Sequence, residues 1–410
     1  MSNLARFPLV AGVLLLGAIG FACGSDKKVV YVSVPPDAGP LEPAACALDE
    51  ECPVEGETCD VAAATCVPIG DGSEIGTGDG TPGSVKLTTI YTAEKGAAVQ
   101  LVDVQFNGDD PTEAWAIGYG NDSVHVGKGI SETSPGTWEE IIDPAAVHFM
   151  HKPPAFAWGA NGFWGICGDN DNAQNDPRLL GNYFMGPALF TSDLSVFAKP
   201  TPGGLGSHYD MLHNTSMCRG IAHVERNVFW VFNGELGALE RYNFNKPHGP
   251  GEDDHSDGEI YRYAVEQVKG VDGVSSHVFY DPADRFLYVA DTGNARIVRL
   301  DTTKGTEGKE LPRKNEILKK GVVMNGTAVE EVVAPGFLTH PSGLEVRRGV
   351  IYVTDAATGA FYAFDKSGNP LRSLDTGLGR GALSGFTFGP DGKIWLTDRK
   401  QGNVLRLDAL

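Results

Sequence analysis

The 410-residue sequence predicts an all-β fold, a six-bladed β-propeller, and three observations carry that expectation. Short alternating strands recur from Val85 to Leu410 between Gly, Pro, Asn and Asp turns, without a long helical period. In that region a unit of strand, turn, strand, turn, strand repeats, its second strand led by Trp115, Trp164, Trp230, Tyr288, Tyr352 or Trp395. These markers lie 43 to 66 residues apart, the size of a four-stranded blade plus its connection. Finally, the sequence ends on a third strand, Val404-Leu405-Arg406-Leu407, while the strand Val85–Tyr91 precedes the first unit without a partner. Pairing the two completes the last blade, and a closed ring leaves no exposed sheet edge.

The clearest units read YDPADRFLYVADTGNARIVRLD at 280–301, LEVRRGVIYVTDAATGAFYAFD at 344–365 and FTFGPDGKIWLTDRKQGNVLRLD at 386–408. Weaker copies begin at 104 and 221, and a degenerate one at 156. The run Tyr-Val-Ala-Asp-Thr-Gly-Asn-Ala-Arg-Ile at 288–297 resembles the NHL-repeat family of six-bladed propellers. The resemblance covers roughly residues 85–410 and implies that fold. The first two units depart from the pattern, with a long insertion between Cys167 and Pro187.

Ahead of the repeats, Arg6 precedes an apolar run from Phe7 to Ala22, shorter than the ~20 residues that span a bilayer. Residues 1–22 therefore read as a secretory signal. The sequence Ala22-Cys23-Gly24-Ser25 resembles a bacterial lipoprotein site, which implies a lipid on Cys23 and an anchor in the cell envelope. Gly20 stands where Leu is usual, and plain cleavage after Ala22 is the alternative. Gly24 in place of Asp points to the outer membrane. Residues 23–45 hold Pro35-Pro36, Gly39-Pro40 and Pro43 and read as an extended linker.

Residues 46–66 carry Cys46, Cys52, Cys59 and Cys66 in a segment too small to hold a core by burial. The segment resembles small acidic Cys-rich modules of bacterial surface proteins. An exported chain favours disulfides, with three pairings open, over a zinc knuckle, for which the spacing lacks CxxC. Residues 67–84, rich in Gly, read as a second, flexible linker. Cys167 and Cys218 fall on neighbouring blades and are expected to pair, with a free thiol on Cys218 as the alternative.

Counting back from the aromatic markers places His151, His277 and His340 on one ring around the channel mouth. Three imidazoles with an open position suit catalytic zinc or copper. The units with His277 and His340 also look like ligand-bearing blades of the peptidyl-hydroxyglycine amidating lyases, whose third ligand motif is absent here. Their catalytic Tyr and Arg have no motif match either, although Arg219 and Tyr280 fall near the ring by count. His208 and His213, with Asp210, are expected on the ring's face. The loop with His248, Glu252, Asp253, Asp254, His255 and Asp257 is expected on the opposite face, where calcium suits its carboxylates. A weaker calcium suggestion attaches to residues 168–176.

A formal net charge of −20 argues against nucleic acid. There is no phosphate loop, no G-x-S-x-G elbow and no HExxH helix. The sequence therefore predicts a membrane-anchored propeller that binds a protein, peptide or glycan, with a metal-dependent lyase or hydrolase in the channel as the alternative.

Overall fold

The structure, a computed structural model, describes residues 45–171, 185–311 and 316–410. Cys23, the signal, the first linker and residues 172–176 of the second calcium candidate lie outside them. Among the described residues no helix is long and apolar enough to cross a membrane.

Six antiparallel sheets form the six blades. Their inner strands are Leu101–Asn107, Phe156–Trp158, Cys218–Glu225, Val278–Asp281, Pro341–Arg347 and Leu383–Phe388, for blades 1 to 6. Blade 6 takes its outer strand from the start of the propeller. Val85–Thr92 lies antiparallel to Asn403–Ala409, with Leu87 opposite Leu407 and Thr89 opposite Leu405. Tyr91 on this strand then reaches blade 1, stacking on Trp138 at 4.7 Å and meeting His125 Nδ1 at 2.9 Å.

Each blade is covered on both sides, so its middle strands are apolar throughout, as in Val228–Asn233, where all six residues are buried. Six core clusters fill the six interfaces between neighbouring blades, and all six aromatic markers sit in them, at most 2% exposed. Burying one such ring contributes on the order of 2–3 kcal/mol. The acid that ends the second strand of each clear repeat binds neighbouring backbone or the following turn. Asp291 accepts from the Lys269 amide at 2.7 Å and from Arg296 Nε at 2.7 Å. Asp355 accepts from the Thr339 amide at 2.6 Å, and Asp398 from the Lys400 amide at 3.0 Å. The motif at 288–297 is thus a strand end and turn held by a buried carboxylate.

Two features escape the repeat pattern. The inner strand of blade 2 starts at Phe156 rather than near Lys152, because that strand has three residues. In blade 4 the chain leaves after Asp301 and forms a hairpin, Thr306–Glu310 with Lys320–Asn325, that joins blade 3. Lys320–Asn325 pairs in parallel with Glu259–Tyr263 and makes a six-stranded sheet. The long spacing between Tyr288 and Tyr352 is its only trace in the sequence.

The cysteines of residues 46–66 form Cys46–Cys59 and Cys52–Cys66 around the hairpin Glu57–Asp60 and Thr65–Pro68. This module is docked on the ring, in one compact unit with it. The Asp49 amide donates to the Ala283 carbonyl at 2.8 Å. Lys366 Nζ meets Asp49 at 2.8 Å, Asp281 at 2.7 Å and Asp284 at 2.8 Å. The expectation of a flexible linker over 67–84 is corrected. Ile75, 2% exposed, packs with Val350 and Tyr352, the Tyr352 hydroxyl donates to Glu74, and Asp71 meets Arg372 at 3.1 Å. Its glycines serve close approach instead of mobility. A Cβ on Gly72 would lie 2.8 Å from Ala363 Cβ, and one on Gly80 2.6 Å from the Ser373 carbonyl oxygen.

Burial without charged partners makes the fold sensitive to acid. Burial lowers both His125 and His277 from 6.5 to about 4. The unfolded chain therefore takes up protons near pH 6.5 that the folded chain refuses until about pH 4. Stability is fully present above pH 6.5 and falls as pH drops towards 4, by roughly a few kcal/mol per histidine. Denaturant melts across that window should show the loss, and H277Q should remove the His277 share of it while the His125 share remains. A flat profile for the unaltered protein would contradict this reading.

Candidate functional site

The inner strands run from one face of the ring to the other, and their far ends open into a cleft. Phe106 and Gly108 of blade 1, Phe279 of blade 4, Arg347 of blade 5 and Phe388 of blade 6 line one side. Residues Thr58–Ala62 of the disulfide module line the other. The cavity measures about 560 Å³. Phe106, Phe279, Glu345 and Phe388 also line a second cavity of about 330 Å³, which extends into the channel as far as His277. The three phenylalanines are half-buried. The Arg347 guanidinium sits 4.5 Å from the Phe388 ring centroid, a cation–π distance. Burial raises the Glu345 carboxyl to about 7, with Arg347 opposing the shift. The cleft thus combines apolar rings, one fixed cation and one carboxyl that titrates near neutrality, in the size range of ligand sites.

Deeper in, His277 Nε2 makes no hydrogen bond. Its ring lies against Gly385, where a Cβ would come within 2.7 Å of His277 Cε1 and 2.4 Å of Asp103 Oδ1. Asp103, fully buried, accepts from the Val104 amide at 2.9 Å and the Phe156 amide at 3.2 Å, and burial holds its carboxyl well above the usual range.

The other mouth is narrower. His340 lines a cavity of about 270 Å³ with Asp272, Ser342, Arg380 and Arg399. Arg219, 3% exposed, crosses this end, bonded to Asp169 at 2.6 Å and Asp272 at 2.7 Å. Tyr119 donates to Asp169 at 3.0 Å, and Arg399 lies 4.6 Å from the Tyr119 ring centroid. Arg219 does reach this mouth, whereas Tyr280 lines the opposite cavity.

The predicted histidine ring does not assemble. His340 lines one mouth, His277 the cavity nearer the other, and His151 turns to Asp122, 2.8 Å from its Nδ1. Among the described residues, ligand-type atoms gather within 4.8 Å in three places, and none includes these three histidines. One is the paired cysteines Cys46, Cys52 and Cys66. The others are His208, His248 and His255, and His213, His255 and Glu316. The sequence assigned His208 and His213 to the ring's face because they precede blade 3. Instead they flank Asp210–Met211, the outer strand of blade 2, where the loop after Asn243 meets them. Counting along the chain missed this because the acidic loop folds back across the blade boundary. Asp253 and Asp254 are exposed, and Asp257 accepts from the Lys246 amide at 3.1 Å, so the calcium carboxylates do not converge. Cys167 and Cys218 are joined in a disulfide, which removes the free-thiol alternative.

No family model matches the chain, and no curated protein is significantly similar to it. Solved structures are similar in fold. A structural genomics protein of unknown function from Bacteroides thetaiotaomicron is 11% identical, with a TM-score of 0.51 over 79% of this chain and 76% of that one. An auxiliary nutrient binding protein from Bacteroides ovatus is 12% identical, with a TM-score of 0.49 over 79% and 76%. A calcium-binding protein, regucalcin, from Agrobacterium tumefaciens is 14% identical, with a TM-score of 0.46 over 79% and 93%. At these identities the likeness concerns the six-bladed architecture alone.

Proposed function

We propose that the protein is an envelope-anchored binding protein that holds a peptide or glycan segment in the cleft between its Cys-rich module and the propeller. The cleft itself carries this reading: half-buried Phe106, Phe279 and Phe388 face a disulfide-fixed wall, with Arg347 and Glu345 between them. Aromatic faces accept apolar side chains or sugar faces, and the charged pair orients polar groups. A wall stapled by two disulfides loses little freedom on binding, which favours affinity. The channel enzyme reading has less support, since its three proposed ligands lie apart. The motif at 288–297 and the closed ring are consistent with an NHL-type propeller as the scaffold.

Screening the purified protein against peptide and oligosaccharide arrays tests the proposal. A retained ligand should bind F106A/F388A about tenfold or more weakly, the loss of roughly 1.4 kcal/mol or more of contact. Retention of no ligand, or equal binding by that variant, would overturn it. Anchorage through Cys23 belongs to the same proposal. Membrane-fraction retention should be lost in C23S, and the mature N-terminus should carry acyl mass. A soluble unaltered protein would remove the anchor.

A further inference from the structure

We propose that His208, His248 and His255 form a binding site for a zinc-class divalent cation on the flank between blades 2 and 3. The site is distinct from both channel mouths, since none of the three lines a cavity there. One ring nitrogen from each lies within 4.8 Å of the others. Every Nδ1 is already engaged. His208 Nδ1 lies 2.9 Å from the Leu205 carbonyl oxygen, His248 Nδ1 2.7 Å from that of Gly249, and His255 Nδ1 2.7 Å from Glu316 Oε2. Each acceptor lacks a proton, so each Nδ1 donates and each Nε2 of a neutral ring keeps its lone pair. This is how metal-bound histidines are held by their outer partners.

Two of the three remaining ring nitrogens have no partner. His248 Nε2 and His255 Nε2 are buried and make no hydrogen bond. The carboxyl of Asp210, buried on the strand between His208 and His213, meets no side-chain donor at either oxygen. Buried polar atoms left this way are costly unless a partner arrives. A cation supplies it, and a water completes four ligands. Phe149 stacks on His208 at 3.8 Å and fixes the ring's plane. Glu316 also accepts from the His213 amide at 2.7 Å, so it is anchored as an outer partner. Three imidazoles suit zinc and its first-row neighbours, and they do not suit calcium, which takes oxygen ligands.

The ligands come from two blades, so the cation would clip the outer strand of blade 2 to the loop after Asn243 of blade 3. Cobalt(II) and zinc titration of the purified, chelator-treated protein tests this. One equivalent of cobalt should bind with the visible spectrum of a tetrahedral nitrogen-rich site, and zinc should displace it and raise Tm. H248A, on a half-exposed loop, should weaken binding by about tenfold or more. H277A/H340A, away from the site, should leave it unchanged. Failure of the unaltered protein to bind either metal stoichiometrically overturns the proposal, and so does undiminished binding by H248A and H255A. Loss in H277A/H340A alone would overturn it as well. None of these readings depends on ligand binding in the cleft.

Discussion

Replacing Lys366 with Met should release the Cys-rich module from the propeller. Among the described residues Lys366 is the one cation facing Asp49, Asp281 and Asp284 at 2.7–2.8 Å, and its side chain is only 21% exposed. Burial opposes its charge, but Asp281 and Asp284, with Tyr288, hold its affinity for the proton above that of an ordinary lysine. Removing it leaves like charges crowded in a half-buried site. Breaking a buried ion pair from one side costs about 3–5 kcal/mol, and partial exposure places this one near the lower end. Asp49 is the module's member of the group, and its other oxygen accepts from Thr58 Oγ at 2.7 Å and the Cys59 amide at 2.8 Å. The contact therefore yields where the module meets blade 4. Limited proteolysis should cut K366M between residues 45 and 84 many times faster, while the propeller survives. Restoring neutrality with D281N/D284N in the K366M background should recover part of the protection. Unchanged proteolysis of K366M would show that the module is held by something else.

Prolines at both Thr88 and Thr89 should open the ring. Successive amides of a strand point to opposite sides, so one of two adjacent prolines must remove a bond to Asn403–Ala409. Thr88 Oγ1 also donates to Asp408 at 2.9 Å, and that bond is lost. The outer strand of blade 6 runs on directly into blade 1 and so ties the last blade to the first. Its release exposes the edge of Asn403–Ala409 and the core shared by blades 5 and 6. The expected cost is at least about 3 kcal/mol, which lowers Tm by roughly 4–5 °C or more for a chain of this size, with aggregation on heating. Prolines at Thr302 and Thr303, in the exposed turn before the inserted hairpin, should cost far less. Equal effects at the two places would mean that closure is not what stabilises the ring.

The fold was legible because its signals are local. An aromatic in the second strand and an acid at its end recur in each clear repeat, and both have simple jobs: the ring fills an interface, the acid binds neighbouring backbone or the next turn. The terminal strand pair was legible for the same reason, as an excess strand at one end and a deficit at the other. What stayed hidden depends on contacts across the sequence. The hairpin at 306–325 belongs by sequence to blade 4 and by pairing to blade 3. The Gly-rich segment looked mobile because close packing against Ala363 and Ser373 demands the same residue as flexibility does. The histidines were recognised as ligand types, but grouped wrongly. Positional counting put His277 and His340 side by side, while the chain folded His248 and His255 onto His208.

The central claim, that a ligand sits between module and propeller, is tested most directly by hydrogen exchange with and without a bound peptide or glycan. The account predicts new protection in residues 57–62, 106–111, 279–283, 345–349 and 386–390, which line the cleft on five different segments. Protection confined to the opposite mouth, around His340, Arg380 and Arg399, with those five segments unchanged, would contradict it.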